Sequence, residues 1–266
     1  ADYFNTVLYA GNSSTNNVTG VGFQPDWVWL KNRSSGSTAH RLYDSVRGPH
    51  KALFSSATNA EFTESGWGLD SFDSDGFTLL DDATNRLYFN QTGQNYVSWN
   101  WLAGGTAVSN TDGSITSSVS ANTKAGISVA TWTGNATAGA TIGHGLNSAP
   151  EIFWIKDRDD SGYNWIVYSK DVGNDRYLLL NSTNAQSSSG QAFLNSTTPS
   201  NSVVTLGGTG WGLNQSGDSH VGYFFHSVDG YSKVGTYTGN GSSDGAFVYT
   251  GFKPAWVMVK TTSTTN

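Results

Sequence analysis

Three glutamates (Glu61, Glu64 and Glu151), five histidines at positions 40, 50, 144, 220 and 226, and no cysteine are what this 266-residue chain brings to acid–base, nucleophilic or metal chemistry. Hydrolysis of a polysaccharide needs two carboxylates at a set separation in space. Glu151 argues against one, because it lies in a segment that recurs with Asp26 and Ala255 at the matching place. A position that carries alanine in a sibling copy is a poor seat for a catalytic acid. A Ser-His-Asp site needs its serine on a strained strand-to-helix turn, and no Gly-x-Ser-x-Gly elbow is expected in this chain. The histidines lack zinc-protease spacing. Without cysteine there is no thiol nucleophile and no thiolate metal site. The reading is of a protein that is not an enzyme, with no catalytic residue and no cofactor.

Oxygen-rich turns are the nearest approach to a metal site. Asp73 and Asp75 precede Gly76, and Asp157, Asp159 and Asp160 precede Gly162. A calcium hand needs a bidentate glutamate farther on, and none follows Asp75 at that spacing. Both clusters read as aspartate turns, with no metal expected and Asp73 and Asp75 as its only candidate ligands. Aromatic rings are the other resource, since a ring face can stack on a sugar. Trp67 and Trp211 each sit between glycines, which would leave the indole accessible on a turn, and Tyr163 and Trp165 flank the second acidic cluster. These four are the candidate ligand-binding residues. Trp27, Trp29 and Trp154 lie in stretches that are apolar on both faces and read as core.

The elements holding these residues follow from composition and repetition. Charged residues are 13% of the chain, about half the usual share, while aromatics are also 13% beside 32 glycines. Such a sequence favours strands joined by tight turns, and helix should occupy under about a tenth of it. The net charge of −6 provides no basic footprint for nucleic acid, and no apolar run approaches the roughly 20 residues of a membrane span.

A segment occurs three times: GFQPDWVWLK from Gly22, GLNSAPEIFWIK from Gly145 and GFKPAWVMVK from Gly251. Each has lysine six places after proline, at Lys31, Lys156 and Lys260, and each follows an aromatic-x-Gly-Asn motif ending at Asn12, Asn135 or Asn240. Two further stretches recur once, KALFSSATNA as RYLLLNSTNA and NQTGQNYVSWNW as NQSGDSHVGYFF. The expected units are 1–122, 123–232 and a partial third, 233–266. The third either belongs to a longer protein or completes the sheet of an earlier unit, and the stretch from Thr106 reads as a connector. Proline cannot donate to a sheet ladder and belongs at a strand's start. All three segments are therefore expected to form equivalent, doubly covered strands, with Trp27, Ile152 and Trp256 in one slot and the lysine amines in solvent. The stretch from Tyr96 to Leu102 alternates with Ser98 and Asn100 on a wet face. The fold class is all-β, as tandem antiparallel jelly-roll or concanavalin-like sandwiches.

VLYAGN, GFQPDWVWLKNR, RLYDSVRG, SFDSDGFTL, YVSWNW and GFKPAWVMVK together resemble a family of tail-associated and other virion proteins of marine and cyanobacterial phages. The likeness spans nearly the whole chain. It implies a virion-surface, extracellular location and a concanavalin-like sandwich, and it supplies no site residues. On this reading the chain is a structural part of a tail fibre, spike or other projection. Its expected partners are copies of itself and other virion proteins, with host-surface glycan as a further ligand. A carbohydrate-binding module is the alternative, ahead of a capsid decoration protein or a polysaccharide hydrolase.

Overall fold

The computed structural model describes residues 2–263 apart from 82, 83 and 85. It is nearly all β, with 36% of residues in strands and 4% in helix. The first half contains β1 (Phe4–Ala10), β2 (Asn16–Thr19), β3 (Trp27–Asn32), β4 (Arg41–Asp44), β5 (Lys51–Ala52), β6 (Phe62–Thr63), β7 (Gly68–Asp73), β8 (Gly76–Leu80) and β9 (Asn95–Trp101). Four form an antiparallel sheet in the order β1-β9-β3-β4, faced by β2-β8-β7. The second half contains β10 (Val108–Asn110), β11 (Ser117–Asn122), β12 (Ile127–Thr133), β13 (Thr141–Gly143), β14 (Ile152–Asp157), β15 (Ile166–Ser169), β16 (Arg176–Leu179), β17 (Ser187–Ser188), β18 (Val203–Thr205) and β19 (Ser219–Phe225). Its large sheet runs β10-β11-β12-β19-β14-β15-β16-β17, and β13 pairs with β18.

The order β1-β9-β3-β4 recurs as β12-β19-β14-β15, and the register recurs with it. Trp27 lies between Trp101 and Asp44, as Ile152 lies between Phe225 and Ser169. The Gly-Asn motif has a physical cause in both halves. Gly11 and Gly134 press against the carbonyls of Gln91 and Gln215 so closely that a Cβ would not fit. The next residues form amide clasps: Asn12 N donates to Asn90 Oδ1 at 3.1 Å and Asn135 N to Asn214 Oδ1 at 2.8 Å, with the amide of each partner returning a bond. The clasp fixes the chain entering β9 or β19 against the end of β1 or β12.

Alternation along β3 sends Val28 and Leu30 into the first half's own core, with Tyr43, Leu69, Phe77 and Phe89. Phe153 and Ile155 of β14 likewise enter the second core, with Ile142, Tyr168, Val204 and Phe224. Trp27, Trp29 and Trp154 point the other way, where the two large sheets meet in a third, aromatic core. Trp27 stacks on Tyr223 with ring centroids 4.6 Å apart and on Trp101 at 4.1 Å. A buried polar spine crosses this seam. Arg47 donates to Asp44 at 2.5 Å and to Glu61 at 2.9 Å, while the Tyr223 hydroxyl donates to Asp44 at 2.6 Å. Charges removed from water survive only when paired and hydrogen-bonded, and this set is paired across the halves.

Four expectations are corrected. The third proline-led segment is no strand: residues 233–263 contain none, so no earlier sheet is completed there, and only Trp256 and Met258 reach the seam. The stretch read as a connector forms β10 and β11 and extends the second half's sheet, because Ser117 to Asn122 pair along β12. Ser98 and Asn100 are completely buried. They face the first half's interior, where Asn100 Nδ2 bonds Asn5 O and Ser98 Oγ. The lysine amines are not free in solvent either, each bonding main-chain carbonyls. Lys156 is fully buried, its amine donating to Asp157 O at 2.6 Å and Asp160 O at 2.9 Å, and burial lowers its pKa to about 8. Lys31 does the same to Asn32 O and Ser35 O. A turn leaving a buried strand exposes carbonyls that need donors, and the lysine supplies them.

Candidate binding groove

Thr131 and Thr133 of β12 alternate with Trp132, and Ser118 of β11 alternates with Ser117, with Thr116 just ahead of the strand. Period two puts each set of hydroxyls on one face of the sheet. It is the face that carries Val129 and Val221 into the seam, and here the side chains of Thr116, Ser118 and Thr133 are exposed. With Ser219 of β19, Ser109, Arg158 and the strand at Trp132 they line an open groove of about 330 Å³. Arg158 forms its wall at the border between the halves. Its Nε and Nη2 grip the Glu61 carboxylate at 2.9 and 2.8 Å, and Nη1 has no partner among the described residues. Hydroxyls that both donate and accept, beside a fixed guanidinium, suit a neutral or weakly acidic polyhydroxyl ligand.

Behind the groove the halves differ. In the first, Tyr9 stacks on Tyr96 at 5.1 Å, and both hydroxyls find main-chain carbonyls, Phe89 O at 2.8 Å and Leu87 O at 3.1 Å. In the second, Trp132 stacks on His220 at 5.5 Å. Trp132 Nε1, both His220 nitrogens and Asp157 Oδ2 have no hydrogen-bond partner among the described residues. His220 Nε2 lies 3.7 Å from Asp157 Oδ2. Burial lowers the His220 pKa to about 4 and raises that of Asp157.

The four aromatic candidates do not converge. Trp67 is partly buried and forms one wall of a cage of Phe54, Phe62, Tyr88 and Phe89 around Arg41, whose guanidinium carbon lies 4.7 to 5.5 Å from all five ring centroids. The cage desolvates an ion pair between Arg41 and Glu64. Trp211 packs on Tyr177 at 4.6 Å over the second core. Tyr163 lies against the backbone of Gly212 and accepts from Gln215. Trp165 is wholly buried, and its Nε1 donates to Phe54 O at 2.8 Å across the seam, so its ring is closed to any ligand. Sequence context alone hid that burial.

The acidic residues are bound locally. Asp73 accepts from Ser71 and Thr78, and Asp75 from the amides of Gly20 and Gly22. Asp157 Oδ1 accepts from the amides of Asp159 and Asp160. Among the described residues no group of three or more His, Asp or Glu side chains is placed to hold a metal ion. All three glutamates are in ion pairs: Glu61 with Arg47 and Arg158, Glu64 with Arg41, and Glu151 with Lys170. One Gly-x-Ser-x-Gly spacing does exist, from Gly241 to Gly245, although none was expected. It occupies an exposed bend with no strand before it and no helix after it, so it builds no nucleophile elbow. The period-two hydroxyls at 116–118 and 131–133 were the sequence signal for the groove, masked by the low complexity around them.

Fold and site together define an antiparallel, sandwich-like all-β protein with a polar groove beside an aromatic seam. The chain belongs to the family described as Domain of unknown function (DUF7483), whose model matches residues 1–266. No curated protein and no solved structure matches it.

Proposed function

We propose that the chain is a structural module of a phage surface projection, built from two jelly-roll or concanavalin-like sandwiches. The observation behind this reading is the seam: two halves of one strand order are joined through stacked indoles and a buried ion network, an arrangement that resists shear between them. The spending of every glutamate on ion pairs agrees with a structural role. The phage setting rests on the motif resemblance described above. Particles purified from the source are expected to yield peptides of this chain by mass spectrometry, and particles without them would overturn the placement.

A second reading, glycan binding, is favoured by the groove. It moves the test away from Trp67 and Trp211, whose rings are engaged in packing, to the sheet face. Glycan-array binding is expected to be lost when Thr131→Trp fills the groove, with the unfolding midpoint little changed. Binding that survives this change, or silence across host-derived glycans, would remove the reading.

A further inference from the structure

We propose that the groove takes an unbranched, uncharged and extended polysaccharide chain laid across the strands, about one sugar residue to a strand. The proposal rests on the glycan reading and narrows it to one class of ligand. Strand pairing sets the groove's hydroxyls in two rows. Ser109 pairs with Ser118 and Ser118 with Thr131, which makes a row over β10, β11 and β12. Ser117 pairs with Trp132, so Thr116 falls beside Thr133; Thr133 pairs with Ser219, and Arg158 N donates to Ser219 O at 2.8 Å. This second row therefore runs over β11, β12 and β19 to the chain leaving β14. Neighbouring strands lie about 4.8 Å apart, close to the length of one sugar ring, and residues two apart along a strand are separated by about 7 Å, the distance between the rows.

Free hydroxyls distinguish these rows. None of the six has a hydrogen-bond partner among the described residues, whereas the inward hydroxyls of Ser117 and Ser120 are engaged with Gly143 O and Gly104 N. The fold does not require them, since Leu8, Ala10 and Asn95 hold the places of Thr131, Thr133 and Ser219 in the first half. A free hydroxyl both donates and accepts. The two edges of an extended pyranose chain carry hydroxyls, so the two rows can meet the two edges, and a branch would strike a row of side chains. The Trp132 side chain belongs to the second core, which leaves no aromatic ring face in the groove. Recognition then depends on hydrogen bonds and grows with the number of sugars in register. Charge narrows the class further. Glu61 neutralises Arg158, Asp159 Oδ2 accepts from Ser219 N at 2.6 Å, and Asp218 is the next residue along the chain. An acidic chain would be repelled at this end of the groove.

The test titrates the intact chain, by calorimetry, with β-1,4-linked oligomers of glucose, mannose and xylose from monomer to hexamer. The coiled α-1,4-linked glucose series and a polyuronate are run beside them. At least one β-1,4 series is expected to bind with an affinity that rises with each added sugar and levels off at about four, one for each position of the second row. Thr116→Val combined with Thr133→Val removes two hydroxyls and keeps the side-chain shape. It is expected to weaken the tetramer at least about tenfold, the effect of one to two ordinary hydrogen bonds, with the unfolding midpoint unchanged. Affinity independent of length, equal binding of the coiled series or the polyuronate, or binding that ignores the double variant would overturn the proposal. Failure of all three β-1,4 series would do the same, and the glycan array then separates the two readings. Another glycan whose binding is lost in Thr131→Trp leaves the groove a sugar site of a different class, whereas silence across the array removes both.

Discussion

Lowering the pH from 7 to 5 is expected to reduce the unfolding free energy by about 4 kcal/mol, about 2 from each of two buried histidines. His144 and His220 have no exposed surface, and burial lowers both pKa values from 6.5 to about 4. The unfolded chain takes up protons on these rings as pH falls through 6.5, while the folded chain resists until about 4. Stability is therefore complete above 6.5 and is lost on the way down to 4. His40, accepting from Trp29 Nε1 at 2.7 Å, shifts in the same direction. Asp26 and Asp157, raised by burial, oppose the trend, because the folded state protonates them first. Urea unfolding at pH 7, 6 and 5 measures the slope, and His220→Gln should remove about 2 kcal/mol of the loss. A stability constant from pH 7 to 5 would mean that these rings titrate as they do in water.

Trp27→Ala is expected to cost about 3 to 5 kcal/mol, the range for truncating a large buried aromatic. The indole is completely buried and touches both halves, with Trp101 on one side and Tyr223, Trp154 and Phe225 on the other. The loss should therefore move a single unfolding transition, shared by probes in the first core and in the second. Tryptophan fluorescence and far-ultraviolet circular dichroism in urea would report it. A change under about 0.5 kcal/mol, the range of surface substitutions, or two separate transitions would show that the seam does not couple the halves.

The sequence by itself determined the class of structure, the repeat and its register. Proline followed by doubly apolar alternation placed β3 and β14 at the centre of sheets, because such strands have no face fit for water. Repetition of that pattern put Trp27 and Ile152 in one slot, since equal patterns must fill equal spaces. Tertiary structure decided what those spaces meet. Period two says which residues share a face and nothing about what covers it, so the polar face of β9 proved to be interior and the second faces of β3 and β14 proved to meet each other. The burial of Trp165 and Lys156 depends on partners distant in sequence, Phe54 across the seam and the carbonyls of a turn. The groove exists only where one sheet extends beyond the cover of the other, a consequence of how two sheets overlap that no local pattern encodes. The third copy shows the same limit: Trp256–Lys260 carries the pattern of a central strand, yet a strand requires a neighbour to share its hydrogen bonds, and the described residues offer it none.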